Sequence, residues 1–201
     1  MSDSRLELPR IESEIWRGLS AACTEPGNAW RLPVLATVGA HGGPHARTIV
    51  LRNINAAEHS LVFHTDVRSP KIEQLREDNR VSVVFYDPGA MTQVTVLGTA
   101  TVHTDSSTAD GEWHSAAASS RRGYLAPKPP GTRVQQPDSN LPDSVIGRVP
   151  TEEELAIARP NFAVIVVAVT EIDWLKLDRE ANFRARFDYS SGDPVAQWVA
   201  V

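Results

Sequence analysis

Short runs rich in Val, Ile, Thr and Phe punctuate this 201-residue chain, and most are separated by little more than a turn. Residues 32–38, 46–52, 61–65, 81–86 and 92–103 read as strands, followed by a buried run at 162–169 and further strands at 172–177, 183–189 and 195–199. Strands joined this closely pair antiparallel, because a parallel pair needs a crossover of a dozen or more residues. The first two flank Gly39-Ala40-His41-Gly42-Gly43, a hairpin signal, and Gly98 marks a bend or bulge in the long fifth. A chain patterned in this way folds mainly as β structure, an antiparallel barrel with a few helices packed on its outside.

Helical signals are few. Ile11, Ile15, Leu19 and Ala22 fall on one face over residues 11–23, with Trp16 beside it, and Pro26-Gly27-Asn28 stops the run. Ser69-Pro70 opens a short helix over about 70–78, with Ser69 as cap and Pro70 at the first helical position. Residues 106–119 are alanine-rich and helical in propensity, whereas the prolines of 126–150 make a long loop. Thr151-Glu152-Glu153-Glu154 is a capping-box pattern for a brief helix closed by Pro160. The length suits one domain, residues 1–201, and no internal repeat is present.

Composition removes several classes of function. Twenty Lys and Arg against 25 Asp and Glu leave a net charge of −5, which disfavours nucleic acid as a partner and makes any phosphate recognition local. The single cysteine, Cys23, allows neither an internal disulfide nor a cysteine zinc site, and suits a reducing cytoplasm. The longest apolar run, Phe162–Val169, is too short to span a membrane, and no signal peptide is expected at the start. The six histidines are scattered without metal-ligand spacing, so no metal is expected. Gly-x-Ser-x-Gly, P-loop and Gly-x-Gly-x-x-Gly patterns are absent, which excludes the machinery of elbow hydrolases, phosphoryl-transfer ATPases and Rossmann dehydrogenases.

The residues left are suited to an anion and a flat ring. Arg47 and Arg52 bracket Thr48, Ile49, Val50 and Leu51 on one predicted strand, where a spacing of five sends their side chains to opposite faces unless a bulge or strand end intervenes. His64-Thr65-Asp66-Val67-Arg68-Ser69-Pro70-Lys71 gathers hydroxyls and cations where a strand hands over to a helix start, whose free N–H groups favour a phosphate. Lys71 in a first helical turn is electrostatically unfavourable unless an anion answers it. Gln93 offers a donor and an acceptor to a heteroaromatic edge. Trp174 and Arg186, on the last strands, would suit a flat, negatively charged ligand. Arg121 and Arg122 could clamp an anion or a partner subunit. Ordinary capping, surface pairing and core packing account for each of these singly.

In this order and spacing, Arg47 to Arg52, Phe63 to Lys71, Gln93 to Gly98, and Trp174 with Arg186-Phe187 resemble the pyridoxamine 5'-phosphate oxidase-related FMN-binding split-barrel family. Arg121-Arg122-Gly123-Tyr124-Leu125 and Pro129-Pro130-Gly131 make it most similar to the Alr-type FMN-binding subgroup. The resemblance implies an antiparallel split β-barrel and a homodimer with FMN at its interface. It further implies that Arg47, Thr48, the main chain of Ile49, Val50 and Leu51, Arg52, His64, Thr65, Ser69 and Lys71 hold the cofactor, with Gln93, Trp174 and Arg186 added, some from the second subunit. Pro70 stands where the oxidases carry an Arg, so that contact is lost or supplied by Arg68.

On the substrate side the likeness thins. The oxidases' catalytic-side Lys falls at Arg52, their substrate-phosphate Tyr and Arg fall at Glu112 and Ala116, and their C-terminal Arg-x-His falls at Asn182 and Arg184. Ser120 is retained, and Arg121, Arg122 and Arg184 are the other substrate candidates. The expected function is that of an FMN-binding protein, a flavin-dependent oxidoreductase whose substrate the sequence does not name. The alternatives are a pyridoxamine or pyridoxine 5'-phosphate oxidase proper, and a non-catalytic module binding flavin, deazaflavin or haem.

Overall fold

The computed structural model describes residues 7–191 and 194–201. Its strands are β1 (Val34–Val38), β2 (Pro44–Thr48), β3 (Leu51–Asn55), β4 (Ser60–Asp66), β5 (Arg80–Asp87), β6 (Thr92–His103), β7 (Phe162–Lys176), β8 (Phe183–Asp188) and β9 (Val195–Val199). The helices are α1 (Leu8–Thr24), α2 (Pro70–Glu77), α3 (Ser107–Ser115), α4 (Ala118–Arg121) and α5 (Glu152–Ala156). All strand pairs are antiparallel, in the order β2-β1-β5-β6-β7-β4-β3, with β8 and β9 added beside β7.

That order closes the barrel. β2 and β3 lie at the two ends of the path, yet only Ile49 and Val50 separate them in the chain, so the sheet must curl until its ends meet. The single strand expected over 46–52 is therefore two, one paired with β1 and the other with β4. The Ile49 amide, freed from the ladder at this corner, donates to the Pro33 carbonyl at 3.0 Å. The two strands expected over 162–177 are instead one, β7, whose first half pairs with β4 and second half with β8. It bends at a bulge opposite Leu97 and Gly98. A Cβ on Gly98 would lie 2.2 Å from the Ala168 carbonyl oxygen, so the bulge depends on glycine here.

The inner face carries the core. Leu35, Phe63, Val83, Phe85, Val94, Val96, Ile165 and Phe187 are fully buried, each aliphatic contributing about 1.5–3 kcal/mol by removal from water. α1 lays Ile11, Ile15, Trp16, Leu19 and Ala22 onto the same core. The Trp16 indole N–H donates to the Tyr189 hydroxyl at 3.2 Å, and that hydroxyl donates to Glu12 at 2.9 Å, tying α1 to the end of β8. A second cluster, with Trp113, Leu155, Phe162 and Val164, fills the outer side of β4 and β7 under α3. The helix expected over 106–119 breaks at Ala116 and Ala117, whose extended backbone turns the chain between α3 and α4. The Thr151 capping box forms, and 126–150 is loop apart from one 3₁₀ turn at Asp143–Val145.

The other half of the outer face is open. Cross-strand pairing puts Thr48, Val34, Val84, Thr95, Asp173, Arg186 and Gln197 in one row across seven strands, and Tyr86, Gln93, Leu175 and Arg184 in the next. Val34, Tyr86 and Leu97 on this face are each more than a third exposed. Among the described residues, no helix is long and apolar enough to cross a membrane.

Candidate functional site

Arg47 of β2 pairs across the ladder with Leu35, so its side chain shares the inner face with Thr37 rather than the outer face with Thr48. There it meets α2, which packs against this end of the barrel. The guanidinium donates to the Thr37 hydroxyl at 2.7 Å, to Gln74 Oε1 at 3.0 Å and to the Leu35 carbonyl at 3.3 Å. Lys71 lies in the first turn of the same helix, and its ammonium donates to Thr65 Oγ1 at 2.9 Å and to Ser69 Oγ at 2.7 Å. Thr65 and Ser69 are buried. Ser69 occupies the cap position of α2 but makes no side-chain cap bond, so its hydroxyl serves Lys71 instead of the expected helix end.

Among the described residues, no carboxylate pairs with either cation. Every hydrogen-bond acceptor around Arg47 and Lys71 is a hydroxyl, an amide oxygen or a carbonyl. Burial lowers the pKa of both, and the Arg47 charge pushes Lys71 down further. Asp66, whose charge reaches Lys71, is itself clamped by Arg68 at 2.6 and 2.9 Å. Two neighbouring, partly buried cations with only neutral partners, at a helix start, have the chemistry to bind a dianion.

Arg52 is placed differently. It is the extra residue where the β3–β4 register shifts, the bulge that frees its direction from simple alternation. Among the described residues its Nε is buried without a hydrogen-bond partner, and burial lowers its pKa. A buried donor left open in this way lacks an acceptor that a ligand can supply. The Tyr124 phenol, whose pKa burial raises, lies within electrostatic reach of Arg52.

Several expected contributors point elsewhere. His64 pairs with Val164 on the outer face of β4, opposite to Thr65, where its Nε2 bonds Glu112 at 2.8 Å and its ring meets Phe162 edge-on. Its side chain does not join the anion cluster. Arg68 cannot replace the missing Arg at Pro70, because Asp66 and the Ala126 carbonyl occupy it, the latter at 2.8 Å. Trp174 and Arg186 lie on opposite faces: Trp174 is in the core beside Trp198, whereas Arg186 donates to Asp173 at 3.0 Å on the open outer face. They cannot flank one ligand within one protomer. Gln93 shares the outer face with Arg186, its amide donating to Thr95 at 3.3 Å.

The substrate candidates are engaged in structural pairs. Arg121, buried over the Trp113 ring, binds Glu152 through two bonds of 2.9 and 2.6 Å. Arg122 donates to the Arg148 carbonyl at 3.0 Å, and Arg184 donates to Asp173 at 2.9 Å. Ser120, half-buried in α4, stands one residue from the Arg121 pair. Glu112 accepts from His64 and from Asn53, and the His64 bond holds its carboxyl below the usual range. Thr37 and Gln74 were not flagged by the sequence, since a Thr on a strand and a Gln on a helix carry no local signal. Among the described residues, no group of three or more His, Cys, Asp or Glu is arranged to hold a metal.

Comparison with known proteins bears on the family and the fold. The family described as pyridoxamine 5'-phosphate oxidase, FMN-binding domain, matches residues 13–104. The pyridoxine/pyridoxamine 5'-phosphate oxidase of Escherichia coli O9:H4 (strain HS) is 36% identical over 84 residues, covering 42% of this chain and 38% of that protein. The chain thus matches about two-fifths of the length of that relative. Among solved structures, a pyridoxamine 5'-phosphate oxidase-related, FMN-binding protein from Nostoc punctiforme PCC 73102 superposes with a TM-score of 0.73 at 22% identity, covering 98% of this chain and 100% of that one. PhzG from Burkholderia lata 383, solved with tetrahydrophenazine-1-carboxylic acid, gives 0.67 at 16% identity, covering 99% and 95%. The paired cations of the anion cluster, the open Arg52 donor and the matched segment lie in the same stretch of chain. Residues 13–104 thus match the FMN-binding domain of the pyridoxamine 5'-phosphate oxidase family, and the chain folds as a split barrel like that of the Nostoc punctiforme protein.

Proposed function

We propose that the protein is an FMN-dependent oxidoreductase acting on a small organic substrate, and that it works as a homodimer in the cytoplasm. The observation that carries this reading is the uncompensated pair Arg47 and Lys71. A phosphate dianion between them supplies the charge that each lacks, with the Thr65 and Ser69 hydroxyls completing the cradle. Thr48 and the main chain of Ile49, Val50 and Leu51 follow directly from Arg47 at the barrel corner and lead to Arg52, whose open Nε–H is left to donate to an acceptor on the flavin side. Bound FMN supplies the hydride and single-electron chemistry, while the protein supplies position and charge.

The open outer face supports the dimer. It combines exposed Val34, Tyr86 and Leu97 with Gln93 and Arg186, an apolar patch with polar groups suited to a ring edge. Gln93 and Arg186 then serve a flavin across the interface, while Trp174 stays in the core. Pyridoxamine phosphate is disfavoured as substrate. The carboxylate of Glu112, held ionised by His64, repels a second phosphate, and Arg184 is occupied by Asp173. The purified protein is expected to be yellow, to release FMN on denaturation, to bleach with a reductant such as NAD(P)H, and to sediment as a dimer. A colourless protein that FMN cannot reconstitute refutes the reading.

A further inference from the structure

We infer that Gln74 is a positioning residue that aims Arg47 while leaving its charge free for a phosphate. The inference rests on the cradle proposed above and assigns a specificity role to a residue outside it. Lys71 and Gln74 are three residues apart on α2, so one helix face presents the ammonium and the amide side by side. Gln74 Oε1 accepts from Arg47 at 3.0 Å and from the Thr37 hydroxyl at 2.7 Å, and Thr37 Oγ1 in turn accepts from Arg47 at 2.7 Å. The three side chains close a ring of hydrogen bonds, and Thr37 at its centre is buried.

The chemistry of position 74 decides what this ring does. A carboxylate there would accept the same bonds with better geometry and charge, and would neutralise the guanidinium as Glu152 neutralises Arg121 elsewhere in the molecule. An amide orients the guanidinium without cancelling it. Leu or Met would remove the acceptor that Thr37 and Arg47 share, leaving the guanidinium held through one nitrogen by Thr37 and the Leu35 carbonyl. The choice of glutamine therefore makes the cluster select a dianionic group over a neutral one.

The experiment measures the affinity of the full chain for FMN and for riboflavin, which lacks the phosphate, in the wild type and in Gln74→Leu and Gln74→Glu. The wild type binds FMN more tightly than riboflavin; equal affinities would refute the cradle itself, independently of either variant. Gln74→Leu is expected to weaken FMN by about tenfold and leave riboflavin unchanged. Gln74→Glu is expected to weaken FMN by about tenfold or more at about pH 8 and to leave riboflavin unchanged, because the new carboxylate pairs with Arg47 and stays ionised. A Gln74→Leu variant that loses FMN and riboflavin equally, or a Gln74→Glu variant that keeps the wild-type preference for FMN over riboflavin, overturns the inference. The second variant keeps the acceptor in place, so it tests the charge even if the leucine variant folds poorly.

Discussion

Replacing Lys71 by Met separates ligand binding from stability, because the two are expected to move in opposite directions. In the free protein the ammonium is partly buried beside a second cation, with only two hydroxyls as partners. Removing it relieves that cost, and a gain of about 1 kcal/mol in unfolding free energy is expected, as for other groups held in place for function. The same change removes a charge-assisted bond to the phosphate, about 1.5–3 kcal/mol, or roughly ten- to a hundredfold in the FMN dissociation constant. pH adds a second signature. Burial, then Arg47, lower the Lys71 pKa, so the folded state binds that proton less readily than the unfolded chain. The cost is fully present below the folded pKa and vanishes above the unfolded value, about 10.4. The free wild type therefore gains stability as pH rises through that window, an increment that Lys71→Met lacks. Flavin affinity of the wild type falls over the same window as the ammonium discharges. Urea unfolding of the FMN-free proteins and fluorescence titration with FMN measure both effects. A variant less stable than wild type, with unchanged FMN affinity, refutes the assignment of Lys71 as an uncompensated anion ligand.

Two further predictions concern the frame around the site. Gly98→Ala is expected to cost about 3 kcal/mol or more, since its methyl group would meet the backbone carbonyl of Ala168; a lowered urea midpoint checks this, and an unchanged midpoint shows that the bulge relaxes easily. Glu112→Gln is expected to cost about 1 kcal/mol at neutral pH through loss of the charged bond to His64. Because the Glu112 pKa is lowered in the fold, that stabilisation is present above the ordinary carboxylate range and is lost as pH falls through the folded value, so the variant and wild type converge in acid. Parallel urea curves at neutral and acid pH decide it.

Local pattern alone fixes much of this protein. The strands Thr92–His103 and Val195–Val199 run where branched residues place them, and Pro70 and Thr151 start helices by their own covalent and capping chemistry. The cations at 47 and 71 could be suspected because a lysine in a first helical turn asks for an anion. What the sequence could not supply was partnership. A run from 46 to 52 looks continuous until two different neighbours claim its halves, and 162 to 176 looks divided until β6 is seen to pair with it from Val164 to Lys176 across the bulge. Side-chain alternation has a known period but no label for inside or outside. Only the register therefore sent His64 to Glu112, Trp174 to the core and Arg186 to the open face. Gln74 became legible last, because its importance is the meeting of a helix face with two strands, and that meeting is set by how the barrel closes.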